Sequence, residues 1–180
     1  GMWFVIADAA ACGIEPVADQ GGAAVRAIEA MRHAAAEQYP VAHPDNPALV
    51  GPTIGQIIAP PIEEGTHGRG AISVSSGPFD PARPERLSGA LDRSPCGTGT
   101  CAKMAVLYAK GLLGVGEEYV NASPIGTRFT GRIERVTKVG PYDAIVPSLS
   151  GRGWIHGVSQ WMLDPSDPFP QGFPIGDIWG

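Results

Sequence analysis

The chain has 180 residues, 43% hydrophobic and 17% charged, with a net charge of -5; this suits a soluble globular protein with chain enough for one large domain or parts of two. The negative balance, with no basic run or stripe, excludes a general nucleic-acid binder. No apolar run approaches the length of a membrane span and the amino terminus lacks the regions of a signal peptide, so no membrane association and a cytoplasmic location are expected.

Gly1 precedes Met2 and reads either as a residue left ahead of an initiator methionine or as native sequence from mid-domain. Met2 to Ala7 is predicted as a buried strand, and Ala23 to Gln38 as a helix. On that helix Val25, Ile28, Met31 and Ala35 fall near one face, while Arg26, Glu29 and Arg32 line another. Val41 to Pro52 carries three prolines and reads as a loop. Thr53–Ala59 and Gly70–Ser76 are predicted strands; Gly77 to Pro95 is a proline-rich connection without a clear period. A second helix is predicted from about Gly97 to Leu113, with Cys101, Met104, Ala105, Tyr108 and Leu112 at helical spacing and Gly114 closing it. Thr127–Thr137 alternates as a strand, with further strands at Ala144–Leu149 and Gly153–Leu163. The aromatic-studded tail from Asp164 is too proline-rich to fold alone. Strands in runs, rather than strict βαβ alternation, predict an α+β fold.

Cys12, Cys96 and Cys101 make no disulfide framework and leave at least one thiol free. The scattered histidines have no helical or hairpin pairing, which predicts no metal site; His43 and His156 are read as structural.

The most informative stretch is Asp92 to Lys103, DRSPCGTGTCAK. Gly97 to Ala102 matches a short dinucleotide fingerprint, but the preceding residues are polar and broken by proline where a buried strand is required. A phosphate loop fails too: Ala102 stands where the second glycine belongs and Met104 where the hydroxyl ligand belongs. Lys103 is then expected on a solvated helix face, and Cys101 on the apolar one. A reactive thiol fits better. Pro95 and the small residues put Cys96 at the first turn of the helix, where free N–H groups and the helix dipole favour a thiolate. The same N–H groups of Gly97, Thr98 and Gly99 would hold a carboxylate. The plainer reading, a small buried cysteine in a glycine turn, stands beside this one, and the residues alone do not choose between them.

DRSPCGTGTCAKMA resembles the carboxy-terminal cysteine motif of the proline racemase family, which includes the 4-hydroxyproline 2-epimerases. GTRFTGRIE (Gly126–Glu134), GRGWIHG (Gly151–Gly157) and LDPSDPFPQGF in the tail extend the resemblance. It spans nearly the whole chain, but only about the second half of a full-length member. The fold it implies is α+β and diaminopimelate-epimerase-like, with mixed and antiparallel strands wrapped around a central helix that starts at Cys96. Residues 1–146 would form the catalytic domain, and 147–180 a strand and tail that packs on the first domain. The tail beyond about Pro147 is therefore expected to be exposed or bound to a dimer partner.

The resemblance also implies the chemistry: inversion of the α-carbon of proline or 4-hydroxyproline between two thiols, without pyridoxal phosphate, metal or other cofactor. Cys96 would be one acid/base, with Gly97 and Thr98 holding the substrate carboxylate, Asp92 the amine, and His67 a further contact. The plainer alternatives are an Asp92 that only caps the helix and a His67 that is only a loop residue. The family's first cysteine stands in a Cys-Gly-His context, which is absent here; Cys12 is followed by Gly13 and Ile14. Two other readings follow: a dehydratase of the same family acting on trans-3-hydroxyproline, or a truncated, non-catalytic product that binds a small anion or dimerises.

Overall fold

The computed structural model describes residues 2–75, 79–83, 86 and 89–172. Strand β1 (Phe4–Asp8) is followed by two 3-10 turns (Ala9–Cys12 and Ala18–Gln20) and helix α1 (Gly21–Gln38). Then come β2 (Val41–His43), β3 (Asn46–Gly51), β4 (Ile54–Ala59), β5 (Gly68–Ser75) and β6 (Gly89–Leu91). Helix α2 (Gly97–Ala109) leads into β7 (Glu118–Ala122), β8 (Arg128–Val139) and β9 (Tyr142–Ser150). Ser76 and residues 173–180 of the expected tail lie outside the described residues.

Among the described residues one mixed sheet runs in the order β1–β4–β5–β7–β8–β9, with β6 also paired to β5. β1 lies parallel to β4 and β5 parallel to β7; the other pairings are antiparallel. Parallel neighbours need a crossover, and here α1 and α2 supply one each. The two helices take opposite faces. Ile57 and Ala71, paired in register, form one core with Ala24 and Ile28 of α1. Ile72, the next residue of β5, turns the other way toward Gly99 of α2, as the period of a strand requires. β1, β8 and β9, which include both ends of the strand order, also touch α2, so the sheet curls around that helix. The second core, of Met104, Leu113, Tyr119 and Ile133, lies inside the curl. This is the expected α+β architecture, with strands wrapped around the helix that begins at Cys96.

Helix α1 packs tightly on the sheet at Gly55. A Cβ there would stand 2.5 Å from Ile28 Cγ2 and 2.8 Å from the Ile28 carbonyl. Backbone cannot swing aside as a side chain can, so Gly55→Ala is expected to lower stability by about 1–3 kcal/mol in urea unfolding.

Several sequence expectations change. Val41–Pro52 is not a loop: most of it folds into the two-stranded β2–β3 hairpin, where the prolines are tolerated because neither strand is central. Glu29, expected on the polar face of α1, is buried and paired with Arg32 at 2.8 Å. β7 escapes sequence reading because its apolar pattern is only Tyr119, Val120 and Ala122; insertion between β5 and β8 makes it a strand. α2 ends at Ala109, short of Leu113, and Gly111 follows with φ at +69°. Gly153–Leu163 forms no strand: its apolar residues have no neighbouring strand to pair with among the described residues. Residues 151–172 are exposed throughout and carry no helix or strand. No helix among the described residues is long and apolar enough to cross a membrane.

Candidate active site

α2 starts in the middle of the curled sheet, and its first residues are set by the turn before it. The Asp92 N–H donates to the Ile72 carbonyl at 2.9 Å, which ties the end of β6 to β5. Asp92 Oδ1 then accepts from the Ser94 N–H at 2.8 Å and from Ser94 Oγ at 2.9 Å. Ser94 Oγ accepts from the Cys96 N–H at 3.1 Å. Asp92 therefore builds the turn and does not cap the helix. The capping residue is Cys96, whose Sγ accepts from the Gly99 N–H at 3.3 Å and lies 3.6 Å from Thr98 Oγ1.

Cys96 is the one non-glycine among the described residues with positive φ, at +58°. A side chain in this region costs about 1–3 kcal/mol and persists only where the surroundings over-determine it. The result is a half-buried sulfur at the mouth of the helix. The Thr100 N–H bonds back to the Cys96 carbonyl at 2.9 Å. The N–H groups of Gly97 and Thr98, first in the helix, have no intrahelical acceptor and point their positive ends outward. The Cys96 sulfur and the leading N–H groups of Gly97 and Thr98 thus share one turn, which Asp92 braces through Ser94.

Beneath the turn lies a polar network that sequence reading misses. Lys103, expected in solvent, is 3% exposed. Its ammonium donates to the Arg69 carbonyl at 3.1 Å and to Asn121 Oδ1 at 3.4 Å, and lies 5.3 Å from the centre of the Tyr119 ring. Burial, reinforced by nearby Arg69 and opposed by Asp8, lowers the Lys103 pKa to about 8. Asn121 Nδ2 donates to Thr100 Oγ1 at 3.0 Å and to the Pro95 carbonyl at 3.4 Å, and Thr100 Oγ1 donates to that carbonyl at 3.0 Å. The buried stripe of α2 is Gly99, Thr100, Lys103 and Met104. Lysine is seldom fully buried, so nothing in the pattern marks that stripe as inward.

Cys101, expected in the core, is half-buried and lines a groove of about 350 Å³ with Met2, Phe4, Thr98 and Pro147. Burial pushes its thiol pKa up and Cys96 adds to the rise, so Cys101 is held as a thiol. Cys12 packs beside the α1 core, away from the turn. All three cysteines are free. His67 is exposed at the start of β5. Its Nδ1 accepts from the Val120 N–H at 2.8 Å, which leaves the proton of a neutral ring on Nε2. No hydrogen bond joins it to the Cys96 turn. Two further open grooves flank that turn. One, of about 620 Å³, is lined by Arg93, Ser94, Thr127, Arg128 and Phe129. The other, of about 320 Å³, is lined by Gly97, Phe129, Leu149 and Arg152. Among the described residues no cluster of three or more His, Cys, Asp or Glu side chains could hold a metal ion.

A family profile described as proline racemase matches residues 1–174. Among solved structures, the chain is similar to a probable proline racemase from Agrobacterium radiobacter K84 with bound carbonate, with a TM-score of 0.75 and 31% identity over 100% of this chain and 49% of that one. It is similar also to a hydroxyproline epimerase from Agrobacterium vitis with bound trans-4-hydroxy-L-proline, with a TM-score of 0.74 and 29% identity over 100% of this chain and 48% of that one. The chain spans about half the length of these relatives.

Proposed function

The chain belongs to the proline racemase family, and on that premise we propose that it carries one face of a racemase or epimerase inverting the α-carbon of proline or 4-hydroxyproline. The observation that carries this reading is the Cys96 turn, where the sulfur and the free N–H groups of Gly97 and Thr98 stand together. A substrate carboxylate on those N–H groups would bring its α-carbon to the sulfur. The Cys96 thiolate takes the α-proton and becomes a thiol, and the C–H electron pair passes to the α-carbon and into the carboxylate. The N–H donors oppose that growing charge. An acid on the opposite face then delivers a proton to carbon, and in the reverse direction the two groups exchange roles.

Asp92 Oδ1 is engaged by Ser94, which leaves Oδ2 for the substrate amine. His67 has Nε2 left for a further contact. The opposite acid, a second thiol by the family pattern, is assigned to a facing half, because Cys12 packs beside the α1 core and Cys101 stands on the same helix that Cys96 caps. The reaction as written uses no cofactor. Residues 1–146 would be the catalytic unit, and 147–180 the segment that reaches the facing half or a second copy. The exposed Trp154, Ile155, Val158 and Trp161 support that assignment.

Chiral chromatography of L-proline and trans-4-hydroxy-L-proline tests the reading. The substrates are incubated with the chain alone and with a chain supplying the complementary half. Inversion is expected with the facing half present. No inversion in either case overturns the proposal, and a cyclic imine formed from 3-hydroxyproline would replace it with dehydration. A second reading draws on the exposed Trp154, Ile155, Val158 and Trp161: a non-catalytic product that binds small anions or dimerises. Calorimetry with pyrrole-2-carboxylate separates this reading from the first, since binding by the chain without turnover under both conditions is its signature.

A further inference from the structure

We propose that Thr100, Asn121 and Lys103 are positioning residues for Cys96, holding the peptide plane before it so that its sulfur is laid over the helix mouth. The Pro95–Cys96 peptide is gripped at both of its polar atoms. Its carbonyl accepts from Thr100 Oγ1 and Asn121 Nδ2, at 3.0 and 3.4 Å. Its N–H donates to Ser94 Oγ at 3.1 Å, and Ser94 is itself fixed by Asp92. Rotation of this plane is the motion that would relax the φ of +58° at Cys96, and a plane held on both edges cannot make it. The left-handed backbone thus has the over-determination it requires.

Lys103 acts through Asn121. An amide can turn over and exchange its oxygen for its nitrogen, but an ammonium only donates. Lys103 Nζ, 3.4 Å from Asn121 Oδ1, therefore draws the oxygen to itself and leaves Nδ2 facing Pro95 and Thr100. Asn121 and Thr100 are both 0% exposed, so water cannot substitute for either partner. The order is fixed from the floor upward: lysine orients amide, amide and hydroxyl hold the carbonyl, and the carbonyl sets the cysteine.

The inference rests on Cys96 as the acid–base thiol, but its test follows residue 96 without substrate. The first readout is thermal melting of Cys96→Gly and Cys96→Ala, each in the wild-type and Thr100→Val backgrounds. Glycine accepts positive φ without strain, so Cys96→Gly should melt above Cys96→Ala, and the gap should shrink by about half or more with Thr100→Val. The second is the rate of iodoacetamide labelling at Cys96 relative to Cys12, resolved by peptide mass spectrometry. That ratio should fall about threefold or more with Thr100→Val and recover with Thr100→Ser, which restores the hydroxyl. If Thr100→Val does not fold, Lys103→Met releases the amide and is read the same way. An unchanged gap and an unchanged ratio in a folded variant overturn the proposal. A shifted gap and ratio without substrate inversion would uphold the positioning and sink the proposed reaction.

Discussion

Cys96→Ser should lower the rate of α-carbon inversion by about 10²–10⁴-fold, the contribution expected of a positioned general acid–base group, in a protein that still folds. Serine keeps the Cβ at φ +58° and keeps a side-chain acceptor for the Gly99 N–H that the thiol holds at 3.3 Å. The turn and the anion cradle therefore survive. Serine does not supply a base that ionises near neutral pH, because an alkoxide is far harder to form than a thiolate. Cys101→Ser is the control. That thiol sits one turn inside α2 and shares no hydrogen bond with the Cys96 turn, so its replacement should leave inversion near the wild-type rate. The measurement is chiral chromatography in whichever form turns substrate over, the 180-residue chain or that chain with a complementary half, alongside thermal melting. Retention of more than about a tenth of the rate by folded Cys96→Ser would mean that the turn is a structural feature and that the acid–base group lies elsewhere.

The main features of this site are readable in the sequence because they are local. Proline followed by a cysteine and alternating glycines places a thiol at a helix start whatever the rest of the chain does, and α2 begins at Gly97 as that pattern requires. Likewise the apolar run of β4 and the helical period of α1 report burial through nearest neighbours in sequence. What escapes is whatever depends on a distant partner. Asn121 joins Pro95 and Thr100 across the sheet, and no periodicity marks it. Glu29 and Lys103 are charged residues whose burial depends on Arg32 in one case and on Arg69 and Asn121 in the other. The residues from Gly153 to Leu163 are rich in apolar side chains, but a strand also needs a neighbour to bond with.

Lys103 leads to the second large effect, on stability against pH. Its proton is held less tightly in the folded protein, where the pKa is lowered from 10.5 to about 8, mainly by burial. Below pH 8 the side chain is charged in both states, and the folded state bears the whole cost of burying that charge, about 3 kcal/mol for a displacement of this size. Between pH 8 and 10.5 the unfolded chain keeps a proton that the folded chain has released, so stability rises with pH across that window. Tyr119 opposes this at the upper end. Burial raises its pKa, so the folded state retains a phenolic proton that the unfolded chain loses above about pH 10, and stability falls there. Comparing wild type with Lys103→Met largely cancels Tyr119 and the other titrating groups, which both proteins share. Measured by urea unfolding, wild type should gain about 2 kcal/mol on the variant between pH 7 and pH 9.5. An equal difference at the two pH values would show that Lys103 is not held in the buried, charged state described. A charge kept under the cysteine at such a cost is intelligible if it orients Asn121, since an apolar side chain of similar length would fill the same space without burying a charge.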